Sequence, residues 1–143
     1  MARPSADTLA RLVGVVGDGH AIREPREMEP YLREWRDIYV GRSALVLRPA
    51  STDEVSRILA IANETLTAIV PQSGNTGLAG GQIPDKSGDE VVLSLERMNR
   101  ILDVDAQGNT MTVEAGVILK TAQEAADRVD RLFPLSLTSE GSC

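Results

Sequence analysis

A glycine-rich segment that follows a short apolar run constrains this chain more than any other feature. Residues 71–81 read PQSGNTGLAGG and hold four of the twelve glycines, directly after the apolar run 67–70. A strand that ends in proline and continues into glycines lets the backbone approach a ligand closely and turn successive N–H groups toward an anion. We therefore expect a phosphate-binding loop, although glycine content alone also fits an ordinary surface turn. Residues 71–81 are called the glycine loop below.

The spacing of the glycines argues against the two commonest phosphate-binding motifs. A Walker A loop needs Lys and then Ser or Thr after its last glycine, whereas here Gln82 and Ile83 follow. The dinucleotide fingerprint G-x-G-x-x-G also fails, because these glycines fall as G-x-x-G-x-x-G-G. The sequence therefore favours a cradle of backbone amides without lysine, with the Asn75 and Thr76 side chains as further candidates.

Composition excludes several classes of function. A formal net charge of -6 and only 3% aromatic residues argue against a nucleic-acid partner, which normally requires a basic surface and stacking side chains. No apolar stretch approaches the roughly 20 residues of a membrane span, and we expect a cytoplasmic protein. Cys143 is the only cysteine and His20 the only histidine. The chain can therefore form no intrachain disulfide, and we expect no metal site built from several histidines.

Apolar periodicity predicts alternating strands and helices. A helix is expected over residues 6–16 behind the N-cap Ser5, and a short helical turn with a solvated charged face over residues 29–36. Strand 44–47, a helix opened by the capping box of Ser51 and Glu54, and strand 67–70 have the length of a parallel crossover. The glycine loop then lies at the carboxyl end of a strand, where open α/β sheets bind ligands. The expected inward face of the crossover helix comprises Val55, Ile58, Leu59 and Ala62.

The second half predicts a strand, a hairpin and a helix. The strand covers residues 90–95, the hairpin pairs 100–105 with 110–114, and the helix ends near residue 131. Residues 132–137 are typical of a buried strand, and the small polar residues 138–143 that follow indicate the start of a second ligand loop. We predict an amino-terminal helical segment, residues 1–43, and the first part of a longer domain, residues 44–143.

Four sequence blocks in order carry a family resemblance: residues 71–81, 92–101, 113–117 and 133–143. Together they resemble the amino-terminal FAD-binding domain of the FAD-linked D-2-hydroxyacid dehydrogenases, within the vanillyl-alcohol oxidase and p-cresol methylhydroxylase superfamily. This group contains D-lactate, D-2-hydroxyglutarate and glycolate dehydrogenases. The resemblance covers residues 31–143 and implies an α+β fold. That fold has a small parallel sheet with a crossover helix, then a mixed or antiparallel sheet flanked by helices, here truncated at its carboxyl end.

The resemblance also implies which residues contact FAD. Residues 72–78 would surround the pyrophosphate with main-chain N–H groups, and Met98 would lie near the cofactor unless it fills the core. In this family the second loop normally continues with Ile-Gly-Gly-Asn beyond Cys143. Ser73 replaces a glycine of many relatives, so either its φ angle is negative or the loop tolerates strain there. The full set implied is Pro71, Gln72, Ser73, Gly74, Asn75, Thr76, Gly77, Leu78, Gly81, Met98, Thr138, Gly141, Ser142 and Cys143.

A complete relative would oxidise a D-2-hydroxyacid to the 2-keto acid and pass the electrons to an acceptor. The general base and the cations that clamp the substrate carboxylate would lie after Cys143, so no catalytic residue is assigned in this chain. The alternative is a non-catalytic α/β module that binds a phosphate-bearing ligand or a partner protein. An open sheet edge also predicts self-association.

Overall fold

The computed structural model describes residues 3–143, and within that range the chain forms four α-helices and six β-strands. The helices are α1 (Ala6–Val16), α2 (Pro25–Leu32), α3 (Thr52–Thr65) and α4 (Leu119–Asp127). The strands are β1 (Ala21–Ile22), β2 (Val46–Leu47), β3 (Ile69–Gln72), β4 (Val91–Ser94), β5 (Ile101–Asp105) and β6 (Thr110–Val113). None of the helices in residues 3–143 combines the length and apolar character that crossing a membrane requires.

Strands β1 to β4 form one sheet in the order β1-β2-β4-β3. Strands β2 and β3 both run parallel to β4, and β1 pairs antiparallel with β2. The two strands predicted on either side of the crossover helix therefore run in the same direction, as expected, but β4 lies between them. All four residues of β4 are buried, which explains why Val91, Val92 and Leu93 are apolar in succession rather than alternating with polar residues.

Two apolar clusters cover opposite faces of this sheet. On one face, α1 and α3 pack against alternate strand residues, with Leu12 and Ile58 fully buried beside Leu47. On the other face, Met28 of α2 packs with Val46 and the neighbouring strand residues. Because successive strand side chains point to opposite faces, a two-sided cover of this kind fixes the register of each strand.

The starts of two predicted helices are confirmed. Helix α1 spans the predicted residues, and its N-cap Ser5 Oγ accepts a hydrogen bond from Thr8 N at 3.1 Å. At α3, Ser51 Oγ accepts from Glu54 N at 3.2 Å, while the Glu54 carboxylate accepts from Ala50 N at 2.8 Å. These contacts satisfy backbone donors that a helix start leaves without partners.

Three sequence expectations, about burial, strand formation and the extent of a helix, are wrong. Leu59 was expected to face inward but is 46% exposed, because the buried stripe of α3 is narrow and centred on Ile58 and Ala62. Residues 132–137 form no strand and their apolar side chains are exposed, Leu132 by 83%, because no neighbouring strand pairs with them. Trp35 lies outside α2, which ends at Leu32.

The predicted hairpin is confirmed as β5 and β6, and an ion pair closes its base. The Glu114 carboxylate accepts from Arg100 N at 2.8 Å and from Arg100 Nη2 at 2.5 Å. Glu114 is buried, whereas the Arg100 side chain is 67% exposed. The hydrogen bonds from the Arg100 side chain and backbone lower the pKa of Glu114, outweighing its burial.

We expect this ion pair to make stability fall in acid. Because the pKa of Glu114 is lowered in the fold, its contribution is present above the ordinary value of 4.5 and is lost as the pH falls through the folded value. Glu114→Gln should lose that contribution at pH 7 and show a shallower loss of stability below pH 4.5. Urea denaturation from pH 7 to pH 3 measures both curves, and parallel curves would contradict the expectation.

Candidate cofactor site

The parallel strands β2, β3 and β4 all end at one edge of the sheet, and polar side chains meet there. Arg48 follows β2 and Glu96 follows β4, and their side chains form an ion pair at 3.3 Å. The Tyr31 hydroxyl donates to the two Glu96 carboxylate oxygens at 3.0 and 3.1 Å. Burial and the negative charge of Glu96 raise the pKa of Tyr31, which therefore stays a protonated donor. The glycine loop leaves β3 at the same edge.

The backbone amides of the glycine loop are available to a ligand. Among the described residues, none accepts a hydrogen bond from the N–H groups of residues 73–78. Asn75 has a left-handed φ of 53°, a conformation that occurs in the backbone nests that bind anions. Ser73 is not among the residues with positive φ, so the first of its two expected alternatives holds. Residues 73–78 are exposed or half-buried, so these unpaired donors face solvent and are open to an anion.

A second loop, residues 137–143, is held by the start of α4. Leu119 N donates to the Cys143 carbonyl at 2.7 Å, and Lys120 N donates to the Glu140 carbonyl at 2.9 Å. The first amides of a helix have no partner inside the helix, so α4 uses two of them to fix this loop. Within the loop, Cys143 N donates to the Ser139 carbonyl at 2.8 Å. We call residues 137–143 the second loop.

The two loops touch at Gly74 and enclose a cleft. A Cβ atom added to Gly74 would overlap the Ser142 carbonyl oxygen, so only glycine allows the two backbones to approach this closely. The cleft has a volume of about 1160 Å³. It is lined by Pro30, Arg33, Glu34, Trp35, Asp37, Gly74, Asn75, Thr76, Gly77, Leu78, Leu137, Thr138, Ser139, Ser142 and Cys143.

The third wall of the cleft is built around a buried carboxylate. Glu34 is 0% exposed and accepts hydrogen bonds from Arg36 N at 2.9 Å and Ile38 N at 2.8 Å. Burial alone would raise its pKa, but these N–H groups and the Arg36 side chain lower it. The interpretation of residues 29–36 as a solvated charged face is therefore wrong at Glu34, and only its spacing to the following amides could have indicated its role.

The structure brings most of the expected site residues together. Eight line the cleft: Gly74, Asn75, Thr76, Gly77, Leu78, Thr138, Ser142 and Cys143. Gln72 and Ser73 line a smaller neighbouring cavity of about 310 Å³, where they meet Gly116 and Ile118.

Four other expected site residues do not line the cleft, and the side chain of Gln72 has a structural role. Pro71 pairs with Leu93 in the sheet, and Met98 is buried with its carbonyl accepting from Gly116 N at 2.8 Å. Gly81 and Gly141 also lie outside the cleft lining. The Gln72 side chain donates to the carbonyls of Tyr31 and Gln82 at 3.0 and 2.9 Å, which fastens the loop to its surroundings. A cofactor role for these residues stays a prediction.

The chain matches a known domain family over most of its length. Residues 43–143 match the family model described as FAD binding domain. The chain belongs to this FAD-binding domain family. The match indicates FAD as the cofactor and confirms the family resemblance read from the sequence blocks.

Relatives extend the match beyond the family model. The chain is 40% identical over 119 residues to D-2-hydroxyglutarate--pyruvate transhydrogenase DLD3 of Saccharomyces cerevisiae, covering 83% of this chain and 24% of that protein. It is 37% identical over 139 residues to the mitochondrial D-2-hydroxyglutarate dehydrogenase of Bos taurus, covering 97% of this chain and 25% of that protein. The chain therefore spans about a quarter of the length of these relatives.

Solved structures confirm the predicted fold class. An alkyldihydroxyacetonephosphate synthase superposes with a TM-score of 0.76 at 18% identity, covering 90% of this chain and 26% of that chain. A 4-ethylphenol oxidase from Gulosibacter chungangensis superposes with a TM-score of 0.71 at 25% identity, covering 87% of this chain and 24% of that chain. The α+β architecture is thus that of this group of FAD-binding domains.

The residues present fit FAD. Its pyrophosphate needs hydrogen-bond donors, and the unpaired amides of residues 73–78 supply them without a lysine. Because Gly74 has no Cβ atom, the backbones of the two loops can approach each other closely at this point. The buried Asn75 Oδ1 has no partner among the described residues, which leaves an acceptor for a hydroxyl group of a ligand.

Proposed function

We propose that the glycine loop and the second loop bind the FAD pyrophosphate in an enzyme that oxidises a D-2-hydroxyacid to its 2-keto acid. The observation that supports this most is the run of amides over residues 73–78 that donate to no described residue at the carboxyl end of β3. Parallel sheets of this kind bind ligands at that edge. The contacts proposed for Thr138, Ser142 and Cys143 follow from their place on the opposite wall of the cleft.

Of the residues that the structure describes, those lining the cleft offer a diphosphate one cation, Arg33, beside the two carboxylates of Glu34 and Asp37. Arg33 lines the cleft, and its ion pairs within residues 3–143 are long, at 3.5 Å to Glu29 and to Asp37, with its side chain 45% exposed. A loosely held guanidinium can turn toward a phosphate oxygen and form a charge-assisted hydrogen bond. The nearby Glu34 carboxylate is paired with Arg36 and accepts hydrogen bonds from backbone N–H groups, which offsets part of its repulsion of an anion.

For the whole protein we propose a small 2-hydroxyacid substrate and a separate electron acceptor. D-2-hydroxyglutarate is the favoured substrate because the names of several relatives specify it. Bound FAD would supply the acceptor for the hydride from C2 of the substrate.

The cytoplasmic location, the boundary between residues 43 and 44, and self-association through an open sheet edge stay proposals. Several relatives carry the word mitochondrial in their names.

The single tryptophan gives a direct test of FAD binding. Trp35 lines the cleft and is 73% exposed, so its emission should be that of a solvated indole. Adding FAD to the chain should quench this emission in a saturable titration, because the isoalloxazine ring accepts excitation energy from a nearby indole. ADP should not quench, since adenine does not absorb at the emission wavelength, but it should compete with FAD for the pyrophosphate site.

The control for this titration is free tryptophan at the same concentration, which reports quenching by collision and inner-filter absorption. A quenching curve identical to that of free tryptophan, together with no rise in melting temperature on adding FAD, would contradict the proposal for this chain. A saturable curve that excess ADP reverses would support binding through the pyrophosphate and adenosine part of the cofactor.

A further inference from the structure

The segment after α2 is fastened to the glycine loop at two points. Asn75 Nδ2 donates to the carbonyls of Pro30 and Arg33, at 2.9 and 2.8 Å. Three residues further along the loop, the Leu78 carbonyl accepts from Arg36 Nη2 at 2.5 Å. The two attachments bracket residues 75–78, whose amides donate to no other described residue.

Arg36 connects the loop to a fixed point inside the protein. Its Nε donates to Glu34 Oε2 at 3.2 Å while its Nη2 reaches Leu78, so one guanidinium joins a carboxylate to a loop carbonyl. Glu34 is fully buried and is itself held by the N–H groups of residues 36 and 38. The planar, forked guanidinium suits two acceptors in different directions, which a single ammonium group does not.

The glycine loop needs such support because its composition favours disorder. Glycine loses more conformational freedom than any other residue when it is ordered, and that entropy cost falls on ligand binding if the free loop is mobile. A loop whose amides are left open for a ligand cannot stabilise itself with internal hydrogen bonds. Attachments through the Asn75 side chain and the Leu78 carbonyl order the backbone without using any of those amides.

We propose that Glu34 and Arg36 are positioning residues that pre-order the glycine loop for the FAD pyrophosphate. This inference rests on the proposed function for the ligand, but its structural part concerns the loop in the free protein. Neither residue contacts the pyrophosphate directly: Arg36 acts through the Leu78 carbonyl, and Glu34 acts through Arg36. Removing the Arg36 link should make the glycine loop more mobile and weaken FAD binding, while the hydrophobic core stays intact.

Arg36→Ala tests this in the 143-residue chain with two measurements. In ¹⁵N relaxation without ligand, the order parameters of residues 75–79 should fall from about 0.85 toward 0.6, the value of a flexible backbone. The Kd for FAD, from the Trp35 titration, should rise by about tenfold. Arg36→Lys should recover only part of both effects, because lysine cannot reach Glu34 and Leu78 together. The matched control is Arg23→Ala, which removes an exposed arginine paired with Asp18 at 3.3 Å and should change neither value.

The outcomes separate this inference from the proposed function. If the unmodified chain binds no FAD, the proposed function fails, and the relaxation data alone support or overturn the ordering of the loop. If FAD binds but Arg36→Ala leaves the loop order unchanged, the inference is overturned. A looser loop with an unchanged Kd overturns the positioning role as well. Should Arg36→Ala not fold, Arg36→Lys retains the charge and supplies the same two measurements.

Discussion

Gly74→Ala should weaken FAD binding by more than about tenfold and destabilise the fold by roughly 1–3 kcal/mol. The added Cβ would overlap the Ser142 carbonyl oxygen and lie 3.0 Å from Cys143 Cα. Backbone atoms cannot move aside as the end of a flexible side chain can, so the second loop has to shift away from the glycine loop. Because both loops line the cleft, this shift changes the cofactor site and the packing together. A fluorescence titration with FAD and thermal denaturation measure the two effects.

Gly14→Ala is the matched control for this substitution. Gly14 lies inside α1, and a Cβ at this position would meet no atom within 4 Å. Replacing an interior helical glycine with alanine should raise stability by about 0.5–1 kcal/mol and leave FAD affinity unchanged. The two variants make the same chemical change and should have opposite signs in stability. If Gly74→Ala behaves like Gly14→Ala, the close approach of the two loops is contradicted.

Glu34→Ala should lower the melting temperature by roughly 5 °C or more. The variant leaves the N–H groups of Arg36 and Ile38 without their carboxylate acceptor in a partly buried position. It also removes the anchor of Arg36, so the segment after α2 should loosen. Since hydrogen bonds to Glu34 lower its pKa against the effect of burial, its contribution is complete above pH 4.5 and is lost as the pH falls through the folded value. The difference from the unmodified chain should therefore shrink in acid.

Glu124→Ala is the corresponding control, because Glu124 is an exposed residue of α4. It makes the same substitution and should change the melting temperature little at any pH. Differential scanning calorimetry at pH 7 and pH 4 measures both variants. Equal melting temperatures for Glu34→Ala and Glu124→Ala at pH 7 would contradict the structural role of the buried carboxylate.

Local signals carried most of the correct predictions. Ser5 and Ser51 cap helices through contacts within four residues, so their sequence neighbourhood contains the information needed. The glycine loop could likewise be placed at the end of a strand from residues 67–81 alone. The family blocks identified FAD, because several motifs in order are more specific than one loop.

The expectations that failed depended on distant parts of the chain. Whether Leu59 faces the core depends on which stripe of α3 meets the sheet. Residues 132–137 are apolar, but they form no strand because no neighbouring strand among the described residues pairs with them. The burial of Glu34 was missed because its acceptor role depends on the fold of residues 36–38. The contact between Gly74 and Ser142 was equally out of reach, since it requires α4 to hold the second loop.

The link between α4 and the second loop makes the width of the cleft depend on how that helix packs. Leu119 and Lys120 hold the loop through their backbone amides, so a rotation or slide of α4 carries one wall of the cleft with it. Small side chains at Ala122, Ala125 and Ala126 seat the helix closely against its neighbours. A larger side chain at one of these positions would therefore displace α4, widen the cleft and lower cofactor affinity, although no residue that lines the cleft is changed.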